Sequence, residues 1–201
     1  MGAELIVAHS ELILGGQKSG KSRRAEGLAK TWLAASPQHK ATLIATGQAW
    51  DAEMRERIAR HQRERAERVP GLQTVEEPRL LAEAIAAHSR SDTLLVVDCL
   101  TLWLTNRLMP FAPENAETSE SNPPLAPDMS APIAMLLGAI RGAPGPLVLV
   151  GNEIGLGVIP LGREVRAFVD ALGRLNQDVA QACERVTLMA AGLPLLLKGP
   201  A

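Results

Sequence analysis

The stretch Gly15-Gly16-Gln17-Lys18-Ser19-Gly20-Lys21-Ser22 restricts the possible folds of this chain more than any other segment. It follows the apolar run Leu12-Ile13-Leu14 and leads into Arg23-Arg24-Ala25-Glu26-Gly27-Leu28-Ala29, which reads as helix. A glycine-rich loop between a strand and a helix can wrap its backbone so that several N–H groups point inward at phosphate oxygens. The helix adds the positive end of its dipole to the same place. In such a loop Lys21 reaches the β/γ-phosphates, and Ser22 offers a hydroxyl to Mg²⁺. An ordinary turn is the bland alternative, and the flanking strand and helix argue against it. The pattern implies a nucleoside triphosphate.

Short β-type runs alternate with longer helical patterns along the rest of the chain. The spacing predicts strands at Glu11–Leu14, Ala41–Thr46, Thr93–Asp98, Leu147–Gly151, Arg185–Ala190 and Pro194–Leu197. Helices are predicted at Lys21–Ser36, Ala52–Ala66, Pro78–His88, Leu100–Leu108, Ala131–Arg141 and Leu161–Glu184. Several strands are continuous apolar runs, as expected where both faces of a parallel sheet are covered. The expected fold is α/β: a doubly wound, mainly parallel sheet of the P-loop NTPase type, with ligands at the carboxyl ends of the strands. Only Ala191-Gly192-Leu193 separates the last two runs, which predicts an antiparallel hairpin at the sheet edge.

At 201 residues the chain is expected to form a single domain, residues 1–201. Pro110–Pro132 carries six of the 14 prolines and little periodicity, and reads as a flexible surface insertion. A net charge of −1 gives no pull toward nucleic acid, and with no Tyr and two Phe there is little to stack on bases. Cys99 and Cys183 lie in apolar runs and read as small buried hydrophobes. Met1–Ser10 lacks the basic start and apolar stretch of a signal peptide, and no run is long enough to span a membrane. A cytoplasmic enzyme is the expectation.

Two further constellations carry chemistry. Asp98 ends the run Leu94-Leu95-Val96-Val97, where a carboxylate at a strand tip can hold Mg²⁺ with Ser22, or else cap the following helix. Arg57, His61 and Arg65 are spaced by four and share one helical face. Taken alone this is a solvated basic stripe. Beside a triphosphate, the arginines could grip phosphate oxygens and a neutral imidazole could attack phosphorus.

The motifs also occur in a recognisable order. After the loop come Ile44-Ala45-Thr46-Gly47 and Asp51-x-Glu53-Met54-x-x-Arg57-Ile58-x-x-His61. Thr74-Val75-Glu76-Glu77-Pro78 and Asp98-Cys99-Leu100-Thr101-x-Trp103-Leu104-Thr105-Asn106 follow. Asn152-Glu153-Ile154-Gly155-Leu156-Gly157-Val158-Ile159-Pro160 and Gly173-Arg174-Leu175-Asn176-Gln177 complete the series. From about Glu11 onward the chain resembles the bifunctional adenosylcobinamide kinase / adenosylcobinamide-phosphate guanylyltransferase (CobU/CobP) family. It departs from the family pattern between Arg68 and Leu72. The resemblance implies phosphorylation of adenosylcobinamide with ATP or GTP. It then implies transfer of GMP from GTP, through a histidine–GMP intermediate, to adenosylcobinamide phosphate. On this resemblance His61 and Lys21 are the catalytic residues, and Ser22 and Asp98 hold Mg²⁺. Nucleotide contacts fall on Gly15, Gly16, Gln17, Lys18, Ser19, Gly20, Lys21, Ser22, Ala45, Thr46, Gly47, Gln62, Arg63, Glu64, Arg65, Glu76 and Asp98. Asn152-Glu153, at another strand's carboxyl end, could line the corrinoid side or form a Gly-flanked turn with a cap; the resemblance implies a homotrimer. A small P-loop kinase for another metabolite and a non-enzymatic nucleotide switch are the competing classes.

Overall fold

The computed structural model describes residues 5–49, 52–109 and 128–200, the side chains of Met54 and Arg57 excepted. In chain order the elements are β1 (Ser10–Gly15), α1 (Lys21–Ala35), β2 (Lys40–Ala45), α2 (Ala52–Arg68), β3 (Leu72–Glu76), α3 (Leu81–His88) and β4 (Thr93–Asp98). They continue with α4 (Leu100–Leu108), α5 (Ser130–Gly142), β5 (Leu147–Val150), α6 (Arg163–Ala182), β6 (Arg185–Ala190) and β7 (Leu193–Lys198). The strands form one seven-stranded sheet in the order β3-β2-β4-β5-β1-β6-β7. Every pairing is parallel except β6 with β7.

The continuous apolar strands are explained by a core on each face of the sheet. Leu12 and Leu14, Leu95 and Val97, Leu147 and Leu149 point toward α3, α4, α5 and α6. Their neighbours Ile13, Leu94, Val96, Val148 and Val150 point the other way, onto Ala25, Leu28 and Ala29 of α1 and onto Val69 just past α2. Successive side chains alternate between faces, so a strand buried on both sides is apolar at nearly every position, and the buried acid on β1, Glu11, is paired with Arg24 and Thr187. Cys99 and Cys183 are buried as expected, and burial pushes their thiols up to about 11 and about 12.

The structure differs from the sequence reading in a few places. The edge strand β3 was not predicted; only Leu72 and Val75 are partly buried, three residues apart, so no period-two pattern exists to find. The helix expected from Pro78 begins at Leu81. The Glu77 carboxylate accepts the N–H groups of Arg79 and Leu80, while Asn106 and Trp103 donate to the carbonyls of Pro78 and Arg79. These bonds hold residues 78–80 as a turn. The hairpin turn has two residues rather than three, Ala191 and Gly192, with φ of +50° and +80°. Positive φ at both centres gives the turn the twist that flanking strands need. Of the expected Pro110–Pro132 insertion, residues 110–127 lie outside the described residues. Its far end is helix from Ser130, because a proline in the first helical turn forfeits no intrahelical bond.

Candidate active site

Parallel register brings distant parts of the sequence together at the carboxyl edge of the sheet. Glu76 stands opposite Ala45, Ala45 opposite Asp98, Asp98 opposite Val150, and Val150 opposite Ile13. From that row β1 runs on to Gly15 and turns into the glycine-rich loop. Gly15 has φ +152°, and a Cβ there would sit 2.5 Å from the Met189 carbonyl oxygen and 2.6 Å from Ser19 Oγ. Gly20 caps α1 with φ +103°, and Lys18 is also left-handed. The loop closes with Ser19 N–H donating to the Gly16 carbonyl at 3.3 Å. Gly192, in the hairpin turn, donates to the Ser19 carbonyl at 3.0 Å and braces the loop from the β6 side. Ser19 Oγ is buried with no partner of its own.

Lys21 is 8 % exposed and folds back, its Nζ 2.6 Å from the Gly16 carbonyl. Burial pushes its ammonium below the usual lysine range, partly offset by Cys99 and Asp98. Across the loop, Ser22 Oγ donates to Asp98 Oδ2 at 3.3 Å. Burial raises Asp98 above the ordinary carboxylate range; Arg65 and the Ser22 bond pull it down, Glu26 pushes it up and His61 pulls it down. These two oxygens suit a hard divalent cation that takes its other ligands from phosphate and water, and a poorly solvated carboxylate is the donor such an ion relieves. The Asp98–Cys99 turn is fixed by Thr46. Its fully buried hydroxyl donates to the Cys99 carbonyl at 2.7 Å and accepts the Cys99 N–H at 2.8 Å.

Helix α2 crosses the mouth of this site on charge rather than apolar packing. Glu26, buried on the first turns of α1, accepts two bonds from Arg68 at 2.8 and 3.0 Å and lies 3.8 Å from Arg65 Nε. The other end of the Arg65 guanidinium is 3.9 Å from Asp98, and its buried Nε makes no hydrogen bond among the described residues. One turn before Arg65 stands His61, its side chain 49 % exposed and its Nδ1 3.9 Å from Glu64. Gln62, on the adjoining face, donates to Glu76 at 3.1 Å. That face, with Arg55 and Ile58, walls a cavity of about 710 Å³ whose other sides are Gly47, Glu76 and Asn106.

The family model for cobinamide kinase / cobinamide phosphate guanyltransferase matches residues 11–197. The chain belongs to this family. It is 45 % identical over 190 residues to the bifunctional adenosylcobalamin biosynthesis protein CobP of Pseudomonas aeruginosa, covering 94 % of this chain and 97 % of that one. It is 33 % identical over 187 residues to the corresponding CobU of Escherichia coli and 34 % to that of Salmonella typhimurium. Each match covers 93 % of this chain and 98 % of the relative.

In this member of the family the fold gathers the loop, Asp98, Arg65 and the Ala45–Gly47 turn at one edge, with Gln62 and Glu76 around the neighbouring cavity. Arg63 is exposed and forms no hydrogen bond or ion pair among the described residues. Glu64 faces Arg60, His61 and Arg68. The Arg57 side chain lies outside the described residues. Sequence reasoning missed Glu26 as the anchor of α2. A lone acid among Ala25, Leu28 and Ala29 on a buried helical face was the available signal, since such a charge requires a partner.

Proposed function

We propose that this chain phosphorylates the aminopropanol hydroxyl of adenosylcobinamide with ATP or GTP. It then transfers GMP from GTP to adenosylcobinamide phosphate through His61, giving adenosyl-GDP-cobinamide. The observation that carries the reading is the family match over residues 11–197. Geometry supports it. A phosphate loop with a buried lysine lies beside a carboxylate–hydroxyl pair, and the helix bearing His61 is tied by Arg65 and Arg68 to the same loop and carboxylate.

Loop N–H groups and Lys21 hold the polyphosphate and offset charge on the departing group. Ser22 and Asp98 would hold Mg²⁺, which would supply further charge stabilisation. A neutral His61 nitrogen attacks the α-phosphorus, pyrophosphate leaves, and the resulting phosphoramidate passes GMP to a phosphate oxygen of the second substrate. This splits one hard transfer between anions into two easier displacements. Glu76 on the cavity wall is a carboxylate acceptor suited to the N–H edge of guanine. The protein is a cytoplasmic homotrimer on this reading, and the exposed leucines of β7 are apolar surface for such an assembly to cover.

Incubation with GTP labelled at the α-phosphate tests the histidine step. Wild-type protein should acquire acid-labile, base-stable label. His61→Ala should acquire none while retaining much of its phosphorylation of adenosylcobinamide. A folded His61→Ala that still takes up label overturns the assignment.

A further inference from the structure

We propose that Glu153 is the general base of the phosphorylation half-reaction, removing the proton from the acceptor hydroxyl. The inference rests on the kinase activity proposed above and assigns a residue that the phosphate-loop machinery leaves open. Gly151-Asn152-Glu153 follows β5, the strand lying between β1 and β4. Glu153 N–H donates to the Gly15 carbonyl at 3.1 Å, so this residue adjoins the first residue of the phosphate loop, on the side opposite the hairpin.

The segment is held from three directions. Asn152 N–H donates to Thr101 Oγ1 on α4 at 2.9 Å. Asn176 on α6, only 4 % exposed, donates to the Asn152 carbonyl at 3.1 Å and lies 3.4 Å from Glu153 Oε2. Gly151 is packed so that a Cβ would stand 3.0 Å from Leu14 and 3.3 Å from Asn176 Oδ1. That Oδ1 is buried and has no partner.

Glu153 also differs in charge environment from Asp98. Asp98 is committed to Ser22 and Arg65. Glu153 accepts only from neutral donors, the Gly155 N–H at 2.9 Å and Asn176, and no lysine or arginine pairs with it among the described residues. A carboxylate without a cation partner keeps lone pairs for a proton, whereas one locked to cations does not. Gly155, bonded to this carboxylate, also lines a cavity of about 530 Å³ between the Ile154–Pro160 loop and α6, bordered by Val158, Arg174 and Gln177. An amide-rich acceptor with an apolar body would approach from that side. In the step itself, the acceptor oxygen bonds to the γ-phosphorus and its proton passes to Glu153. The bond from the γ-phosphorus to the β–γ bridging oxygen breaks, and that electron pair leaves with the nucleoside diphosphate.

Glu153→Gln keeps an acceptor for Gly155 and so separates a base from a mere loop clasp. We expect it to lower kcat for adenosylcobinamide phosphorylation by about 10²-fold or more. KM for the nucleotide should stay within about threefold, and self-labelling from α-labelled GTP should persist. Glu153→Asp, with its shorter arm, should lose less than Glu153→Gln. Should Glu153→Gln fail to unfold cooperatively, the comparison of Glu153→Asp with wild type decides: a partial loss of phosphorylation with self-labelling intact supports a base whose reach matters, and an equal loss of both half-reactions overturns it. A folded Glu153→Gln with near wild-type kcat, or one that loses both half-reactions equally, overturns the proposal and leaves the kinase reading standing. Wild-type protein that phosphorylates no adenosylcobinamide overturns both.

Discussion

At the scale of single residues, the site is built from charges placed where burial opposes them. Asp98 shows the consequence for stability. Its folded carboxyl is raised, chiefly by burial, so between the unfolded and folded values the native protein holds more protons than the unfolded chain. Stability therefore falls as pH rises through that window, and the penalty persists at neutral pH. Asp98→Asn removes it: the variant should melt a few °C higher than wild type at pH 7, as about 1 kcal/mol gives in a domain of this size. The difference should shrink as pH falls toward about 4, where the unfolded carboxyl also protonates. Both half-reactions should be lost. Thermal unfolding at the two pH values checks this, and a lower melting temperature at pH 7 would refute it. Asp98 and Lys21 were readable in the sequence because each sits at the end of a local pattern. For Glu26 the local pattern signals only that a buried acid needs a partner; which partner was not readable, because Arg65 and Arg68 come from another helix.

At the scale of elements, α2 is the least conventional part. Its core contact is slight, and its position over the phosphate loop depends on the Glu26 ion pairs, of which Arg68 stays 45 % exposed. Glu26→Gln should therefore cost only about 1–3 kcal/mol, since Arg68 can return to water while Arg65 cannot. The functional effect should be uneven. Guanylylation, which on the proposed mechanism needs His61 over the α-phosphorus, should fall more than phosphorylation, which that mechanism assigns to the loop and its carboxylates. Paired assays on one folded preparation measure the split, and equal losses would mean that α2 is not positioned by this acid. Helices and central strands were largely readable from apolar runs, because each has a buried side to leave a periodic trace. β3 and the Pro78–Leu80 turn were not. One is an edge strand with two half-buried positions, and the other is set by hydrogen bonds from Trp103 and Asn106 on α4.

At the scale of the whole molecule, β7 leaves Leu193, Leu195 and Leu197 exposed along the sheet edge. An uncovered apolar edge invites pairing, which is the reason to place the contact of the proposed trimer there. Leu195→Glu with Leu197→Glu should reduce the mass measured by light scattering to that of a single chain; an unchanged assembly would move the contact elsewhere. The strand order has another consequence, for synthesis. β1 is made before every other strand of the sheet, yet its two neighbours are β5 and β6, with Glu11 paired to Val148 and to Arg185. Until β5 and β6 are made, the strand leading into the phosphate loop has no partner on either side. Pairings of such long sequence separation form late and leave open edges meanwhile. The brace at Gly192 arrives later still, so the loop written first is the one finished last, and a nascent chain that grips nucleotide is one in which every strand of this sheet has already been made.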